Sequence, residues 1–505
     1  MPTAQEAYEE LAHRERERHL LASSAAVLSW DERTYMPSRG AALRADQLAL
    51  LARLVHERLT DPRVGELLDI LQDSDLARGD TPQAANIRAW RHDYRRAVRL
   101  PKKLVEELAR ATTLGQQAWQ EARQRADFAL FRPHLEKIVR LKREEAQALH
   151  EQGSLYDALL DEYEPGMTVE QLTRVLGELR RQLVPLLQHI LASRRGCPQI
   201  LQRHYPVDRQ EEIGRQVATA IGFDFSAGRL DRTVHPFCSG IGPGDVRLTT
   251  RYHPRHFGQA FFGVLHEAGH GLYEQGLSAE AFGTPIGQAC SLGIHESQSR
   301  LWENFVGRSR PFWEYFYPAV REAFPEALGT VALDEFLLAV NYVERSLIRV
   351  EADEVTYNLH ILLRFELEQA LLTQDLPVAD LPAAWNHILY DLLELRPEND
   401  AAGCLQDIHW SAGLFGYFPT YTLGNLYAAQ FMEKAHADIP SLKDHIRHGR
   451  FEPLLDWLRE HIHRHGRRYL PGELCRRITG RELSAEPFLR YLRSKYAELY
   501  GLGHA

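Results

Sequence analysis

The sequence predicts a mainly helical protein with a very small β-sheet, and three observations favour this fold class. Before about residue 195, charged segments with apolar residues at helical spacing dominate, for example 43–59 and 135–152. Turn signals rich in glycine and proline separate these segments. In the middle of the chain, the glycine-rich stretch 239–244 precedes 246–252, which alternates polar and apolar residues and is rich in β-branched ones. We therefore expect many helices and very few strands.

Two further signals concern a second strand and the organisation of the chain. The stretch 346–351 is a second candidate strand. A break is expected at Gly196-Cys197-Pro198, but it is too short to act as a flexible linker. We therefore expect 1–195 and 196–505 to pack together as two lobes of one integrated domain, 1–505.

Composition argues against several classes of protein. The net charge of −9 argues against nucleic acid as the main partner, because a phosphate backbone selects for clustered positive charge. The first residues lack a basic region followed by an apolar one, and no apolar run approaches about 18 residues, so neither secretion nor membrane insertion is expected. The five cysteines are dispersed and form no Cys-x-x-Cys pair, as is typical of buried thiols in a reducing cytoplasm.

The motif His266-Glu267-Ala268-Gly269-His270 is the most informative segment of the chain. Two histidines four residues apart share one face of a helix, so both imidazoles can reach one metal ion, with Glu267 beside the attacking water. Apolar residues between 257 and 272 have the spacing of an amphipathic helix and lie roughly opposite the two histidines. Gly263, Gly269 and Gly271 in this helix indicate close packing or a local need for space. The alternative interpretation is a pair of ordinary surface histidines.

A third ligand is needed, because a catalytic zinc normally takes three protein ligands and leaves one position open to water. Glu296 is a candidate, since it lies 26 residues after His270, near the start of a second predicted helix that continues through 301–306. Taken alone, Glu296 would be a solvated surface carboxylate, as most glutamates are. Together with the histidine pair it predicts a metallohydrolase.

Five further motifs accompany the histidine motif in a definite order. They are His235-Pro236-Phe237, Asp245-Val246-Arg247-Leu248-Thr249, His295-Glu296-Ser297, Ile348-Arg349-Val350-Glu351-Ala352-Asp353 and Gly403-Cys404-Leu405-Gln406-Asp407-Ile408-His409-Trp410. With these motifs the chain resembles the carboxypeptidase Taq (thermostable carboxypeptidase) family of zinc metallopeptidases. The matching region spans about 235–425, and the 505 residues fit the whole family chain.

The resemblance implies a large helical, cleft-forming metallopeptidase fold with a very small β-sheet beside the active site. We expect residues 1–195 to form a helical lid or wall of the cleft, and 196–505 to form the catalytic lobe with the metal site. The resemblance also implies a homodimer.

The same resemblance implies the metal site and its chemistry. His266, His270 and Glu296 become the ligands of Zn²⁺, with Co²⁺ as an alternative. Glu267 becomes the general base that takes a proton from the attacking water and later carries it to the leaving amine.

The resemblance assigns substrate recognition to residues outside the metal-ligand set. Arg349 would grip the C-terminal carboxylate of the substrate with two hydrogen bonds. Tyr421, Tyr417 and His409 could donate hydrogen bonds to the oxyanion, with Tyr421 favoured, although both tyrosines could instead be core aromatics. Three more residues are expected to shape the substrate strand or to support the site: His235, Asp245 and Arg247.

The function implied is a metallocarboxypeptidase that removes single C-terminal residues from peptides with a free C-terminus, with broad specificity. Two alternatives stay open at this point. An endo-oligopeptidase of the same architecture would lack a cation that reads the free carboxylate. A helical binding protein without activity is argued against by the complete ligand set and by Glu267.

Overall fold

The computed structural model describes residues 2–502 and is mainly helical, with one three-stranded sheet. The fold class expected from the sequence is therefore confirmed. The described residues divide into two compact units, and each unit is built from three separate stretches of the chain. The first unit consists of 2–98, 198–340 and 431–481, and the second of 99–197, 341–430 and 482–502.

The helices range from 4 to 29 residues in length and follow one another closely along the chain. In chain order they are α1 (Ala4–Glu32), α2 (Ala41–Leu59), α3 (Pro62–Gln72), α4 (Pro82–Arg99), α5 (Lys102–Arg125), α6 (Phe128–Leu149), α7 (Leu155–Leu160), α8 (Val169–Ala192), α9 (Val207–Ala220), α10 (Phe257–Gly276), α11 (Leu292–Arg300), α12 (Arg310–Ala323), α13 (Pro325–Leu328), α14 (Leu333–Val340), α15 (Tyr357–Thr373), α16 (Leu381–Leu393), α17 (Pro419–Asp438), α18 (Leu442–Arg447), α19 (Glu452–His461), α20 (Pro471–Thr479) and α21 (Glu486–Tyr500).

The helices predicted at 43–59 and 135–152 are confirmed as α2 and α6. α6 shows why such a sequence folds locally. Asp127 precedes it, and its carboxylate accepts a hydrogen bond from the backbone N–H of Ala129 (2.9 Å), one of the N–H groups that a helix start leaves unpaired. Leu135, Ile138 and Leu141 then recur at helical spacing and are fully buried in the second unit, where α6 packs against α5, α7 and α15.

The sheet belongs to the first unit and has the order β1-β3-β2, with β1 (Gly228–Arg232), β2 (Cys238–Gly242) and β3 (Asp245–Thr250). The central strand β3 pairs in parallel with β1 and antiparallel with β2. The predicted strand at 246–252 is thus confirmed as β3. Its alternation buries Val246 and Leu248, and α10 packs against it.

The strand predicted at 346–351 is wrong. In its place the backbone turns locally, and Arg349–Glu351 form a short 3₁₀ helix. Ser346 explains the difference, because its hydroxyl accepts a hydrogen bond from the N–H of Ile348 (3.2 Å) and donates one to the carbonyl of the same residue (3.1 Å). Such local side-chain bonds compete with the bonds of a strand.

The expected lobes are 1–195 and 196–505, and one border between the observed units falls two residues later, between Cys197 and Pro198. Residues 2–98 belong to the same unit as α10 and α11, and this grouping was not foreseen from the sequence. A role of 1–195 as a lid or wall stays a prediction.

Among residues 2–502, every helix is too short or too polar to span a membrane.

Candidate metal centre

Two helices of the first unit bring the three expected ligands together. α10 presents His266 and His270 one turn apart, and α11 contributes Glu296. The Nε2 atoms of the two histidines lie 3.7 and 3.4 Å from Oε2 of Glu296. One ligand atom from each residue falls within 4.8 Å of the others, which is the arrangement that a single metal ion requires.

A glycine sets the distance between these helices. A Cβ atom at Gly269 would lie 2.5 Å from the carbonyl oxygen of Gln298 and 2.6 Å from Cα of Ser299, both in the backbone of α11. Gly271, on the next part of α10, similarly faces Phe223 and Leu248. The close packing that the glycines indicated is therefore present, and it brings Glu296 near the histidine pair.

Each ligand also has a hydrogen-bonding partner that was not among the residues expected at the site. Nδ1 of His266 lies 2.8 Å from Oε2 of Glu303, in the π-helical turn Leu301–Val306 that continues α11. Arg300 donates from Nε to Oε1 of Glu296 (2.7 Å), which leaves Oε2 directed at the histidines. Since Glu303 lies seven residues after Glu296, two helical turns on, its spacing is a signal that could have found it.

His270 is held by a second histidine. Its Nδ1 lies 2.6 Å from Nδ1 of His295, whose Nε2 lies 2.8 Å from Oε1 of Glu274. His295 was noted only as part of a motif, and Glu274 was not noted at all. Glu274 lies one turn after His270 on α10, so helical spacing could have found Glu274, whereas His295 is on α11 and no spacing signal points to it.

The electrostatics of the site suit a divalent cation. Burial would lower the pKa of His266, yet the charges of Glu296 and Glu303 raise it to about 9. Carboxylates that attract a proton to this imidazole also attract a metal ion. Burial lowers the pKa of His270 to about 4, so its ring is neutral and able to ligate. Glu296 is buried, which opposes ionisation, but Arg300 and the histidines hold its pKa well below the usual range.

Glu267 differs from the other carboxylates of the site. It is 7 % exposed, and burial together with the neighbouring Glu296 raises its pKa to about 7, although His266 acts in the opposite direction. A carboxyl group with such a pKa can accept and release a proton near neutral pH.

The residues expected to support the site lie on and beside the sheet. Arg247 on β3 donates from Nε and Nη2 to the two oxygens of Asp245 (2.8 and 2.7 Å) and lies 4.3 Å from the ring centroid of Trp30. His235 is exposed in the segment between β1 and β2. The hydroxyl of Thr249 bonds both the N–H and the carbonyl of Phe237 (2.8 Å each). The His-Pro-Phe and Asp-x-Arg-x-Thr motifs are therefore joined by direct hydrogen bonds.

The other expected residues lie in the second unit, and the structure brings them together there. Arg349 donates from Nε and Nη2 to Oδ1 of Asp407 (3.1 and 2.8 Å) and from Nη1 to the hydroxyl of Tyr357 (3.0 Å). Its guanidinium lies 5.0 Å from the ring centroid of Tyr421. Arg364 donates to the other oxygen of Asp407 (2.7 Å). Two buried arginines thus share one carboxylate, a net charge of one positive unit.

His409, Tyr417 and Tyr421 form an aromatic cluster in the same unit. Nε2 of His409 lies 3.1 Å from the hydroxyl of Tyr421, and the His409 and Tyr417 rings are 5.4 Å apart. Burial lowers the pKa of His409 to about 3, so the ring is neutral. The segment after His409 is fixed by Glu368 on α15, which accepts hydrogen bonds from Nε1 of Trp410 (2.9 Å) and the N–H of Gly416 (3.0 Å).

A helix with two histidine ligands and an adjacent glutamate, completed by a glutamate from the next helix, defines a metallopeptidase site. The model of the carboxypeptidase Taq (M32) metallopeptidase family matches residues 10–496, and the chain belongs to this family. The protein is therefore a metallocarboxypeptidase, as the motifs predicted.

Curated relatives and solved structures agree with this assignment. The chain is 51% identical to thermostable carboxypeptidase 1 of Thermus thermophilus over 510 residues, covering 99% of this chain and 100% of the relative. It is 38% identical to carboxypeptidase 1 of Bacillus subtilis, covering 94% and 95% of the two chains. The crystal structure of the M32 carboxypeptidase from Deinococcus radiodurans R1 has a TM-score of 0.94 and 44% identity, over 98% of this chain and 99% of that chain.

Proposed function

We propose that this metallocarboxypeptidase removes single C-terminal residues from peptides with broad specificity, using Zn²⁺ held by His266, His270 and Glu296. The observation that supports the metal site is the convergence of two Nε2 atoms and one carboxylate oxygen between α10 and α11. Two imidazoles and one carboxylate are a donor set of catalytic zinc, and Co²⁺ is the alternative ion. When bound, the metal supplies a Lewis acid that polarises the scissile carbonyl and acidifies water.

Glu267 moves the proton in this proposal. Its carboxylate takes a proton from the water that attacks the peptide carbonyl, and then gives the proton to the nitrogen of the leaving residue. Two observations support this role. Glu267 follows His266 directly on α10, and its burial excludes bulk water that would otherwise compete for the proton.

Arg349 reads the free C-terminus in this proposal. The bonds to Asp407 and Tyr357 engage three of its five N–H groups, so the guanidinium still has donors to offer a carboxylate. Arg349 and Arg364 together carry one more positive charge than Asp407 neutralises, and a buried cation of this kind is stabilised by an anion. Arg364 therefore supports the recognition of a substrate carboxylate without contacting it.

Polar aromatic residues stabilise the oxyanion in this proposal. The hydroxyl of Tyr421 donates a hydrogen bond to the negative oxygen that develops during attack, and His409 orients that hydroxyl from 3.1 Å. Tyr417 lies against the ring of Tyr421 and supports its position. His235, between β1 and β2, and Arg247, on the central strand β3, help to position the peptide strand, with Arg247 held in place by Asp245.

We further propose that the protein acts as a cytoplasmic homodimer. The helix α2 supports the dimer, because none of its 19 residues is buried, and Leu43 and Leu50, two turns apart on one face, are 64% and 49% exposed. A second copy of the chain would cover this face. The dispersed cysteines support the cytoplasmic location.

The experiment that tests this function combines metal analysis with time-resolved mass spectrometry of a mixed peptide pool. We expect one bound Zn²⁺ per chain and a ladder that shortens by one residue at a time from the C-terminus. Chelation should abolish the ladder, and amidation of the peptides should abolish it separately because Arg349 loses its anionic partner. Internal cleavage of amidated peptides would contradict the proposal.

A variant separates the role of Glu267 from that of the ligands. Glu267→Gln should keep stoichiometric metal and lose nearly all turnover, because an amide cannot accept the proton. Glu296→Gln is the matched control, since it should weaken metal binding itself. Wild-type turnover in Glu267→Gln would refute the general-base role.

A further inference from the structure

His270 can bind a cation only in one tautomer. Its Nε2 faces Oε2 of Glu296 at 3.4 Å and is the atom available to a metal ion. A neutral imidazole has one N–H, so a ligating Nε2 requires the proton on Nδ1. The partner of Nδ1 therefore has to be a hydrogen-bond acceptor.

That partner is another imidazole, which can accept or donate. Nδ1 of His270 lies 2.6 Å from Nδ1 of His295. If Nδ1 of His270 donates, then Nδ1 of His295 accepts, and the single proton of His295 is on Nε2. The opposite tautomer of His295 would place two N–H groups against each other, or would move the proton of His270 onto the atom that the metal needs.

Glu274 selects between these tautomers. Its Oε1 lies 2.8 Å from Nε2 of His295, and an ionised carboxylate only accepts hydrogen bonds. The proton of His295 is therefore held on Nε2, as the previous step requires. By contrast, His266 reaches a carboxylate directly, since its Nδ1 bonds Glu303 at 2.8 Å. His266 is therefore oriented by one hydrogen bond to a carboxylate, and His270 by two hydrogen bonds in series.

A glycine on the edge strand makes room for Glu274. A Cβ atom at Gly240 of β2 would overlap Oε2 of Glu274 and lie 2.6 Å from its Cδ. Both residues line a cavity of about 420 Å³ in the first unit. An alanine at 240 would therefore push the flexible carboxylate into open space rather than strain the backbone.

We propose that Glu274 is a positioning residue for the metal centre, which fixes the tautomer of His295 and through it directs Nε2 of His270 at the metal ion. This inference rests on the proposed metal-binding function. Glu274 is not one of the three metal ligands, and its proposed effect is on the affinity for the metal ion and on the orientation of His270.

The test is the dissociation constant of Zn²⁺ for the full-length protein, measured by competition with a chromophoric chelator. Loss of such outer partners typically weakens metal binding by about 10- to 100-fold, and we expect a loss in this range for Glu274→Ala. Glu274→Gln should lose less, because its carbonyl oxygen can still accept from His295. Glu280→Ala is the matched control, since Glu280 is an exposed carboxylate six residues further on, and it should bind Zn²⁺ like the wild type.

Gly240→Ala gives a second test that leaves the chain of hydrogen-bonding residues intact. It should weaken Zn²⁺ binding in the wild-type background and have no further effect in the Glu274→Ala background, because the displaced group is already absent. The visible spectrum of Co²⁺-loaded protein should change in Glu274→Ala and stay unchanged in Glu280→Ala, since only the former removes a residue that orients a ligand. Should Glu274→Ala fail to fold, Gly240→Ala alone decides the matter.

The outcomes separate this inference from the function on which it rests. Wild-type protein that binds no stoichiometric Zn²⁺ would refute the proposed metal function. Wild-type protein that binds Zn²⁺, with Glu274→Ala and Gly240→Ala binding it equally well, would overturn only the role of Glu274. An equal loss in Glu274→Ala and Glu280→Ala would also overturn it, because the effect would then be one of overall charge.

Discussion

Two glycines on α10 provide a matched test of how helix packing sets the metal site. Gly263 and Gly269 are both inside the helix, where alanine is favoured over glycine by about 1 kcal/mol. A Cβ atom at Gly263 would meet nothing closer than Oγ1 of Thr250 at 3.4 Å. Gly263→Ala should therefore increase the free energy of unfolding by up to about 1 kcal/mol.

Gly269→Ala should have the opposite effect. Its Cβ would lie 2.5 and 2.6 Å from backbone atoms of Gln298 and Ser299, whereas carbon atoms pack best at about 3.5–4.0 Å. Backbone atoms cannot rotate away, so α10 and α11 must separate by roughly 1 Å. Overpacking of this kind costs about 1–3 kcal/mol and is offset by about 1 kcal/mol of helix propensity. We expect a net loss of up to about 2 kcal/mol.

The separation should also be visible in metal binding. Glu296 lies two residues before Gln298, so its carboxylate moves with the displaced backbone of α11. Metal–ligand distances normally agree with their standard values to within about 0.2 Å, so a displacement of roughly 1 Å should lower Zn²⁺ affinity by about 10-fold or more.

The assay is the denaturant midpoint of the metal-free protein together with the Zn²⁺ dissociation constant, for both variants. Gly263→Ala should keep wild-type Zn²⁺ affinity. The reasoning would be refuted if Gly269→Ala were as stable as Gly263→Ala and bound Zn²⁺ as tightly as the wild type.

Three further predictions concern a carboxylate at the metal site, a buried carboxyl group and an exposed helix. Glu303→Ala should weaken Zn²⁺ binding by about 10- to 100-fold in chelator competition, because His266 loses its outer partner; unchanged affinity would contradict this. Burial raises the pKa of Glu368 from 4.5 to about 7, so the folded state binds more protons than the unfolded state between these pH values, and stability should fall by about 3 kcal/mol as pH rises through them. Denaturant midpoints of Glu368→Gln should depend less steeply on pH in this range, and parallel curves for variant and wild type would count against the assignment. Leu50→Glu on α2 should shift the protein from dimer to monomer in light scattering, with Glu57→Gln at an exposed site of the same helix as the control; a monomeric wild type would rule out the dimer.

The parts of the site that could be predicted from the sequence depend on local spacing. His266 and His270 are four residues apart on one helix, so their relation to each other follows from helix geometry alone. The strand at 246–252 was predictable because successive side chains of a strand point to opposite faces, so alternating polar and apolar residues indicate a strand with one buried face. Glu296 could be chosen among many glutamates only because other motifs surrounded it.

The remaining features depend on contacts between distant parts of the chain. His295 contacts His270 because α11 packs across Gly269, and this contact has no signature in the spacing of either helix. Arg349 is bound by Asp407, which is 58 residues further along the chain. The incorrect prediction of a strand at 346–351 has a local cause. The hydroxyl of Ser346 bonds the backbone N–H and carbonyl of Ile348, which a strand would have paired with a neighbouring strand.

The interleaving of the two units has a consequence for the order in which the metal centre forms during synthesis. Nε2 of His463 lies 2.9 Å from Oε1 of Gln298, and its ring packs against Tyr273, so the last stretch of the first unit touches both ligand-bearing helices. A ribosome delivers residues in sequence, and residues 341–430 of the other unit emerge in between. The helices that carry His266 and Glu296 are therefore made long before the contact that completes their surroundings, and a nascent chain shorter than 463 residues lacks it.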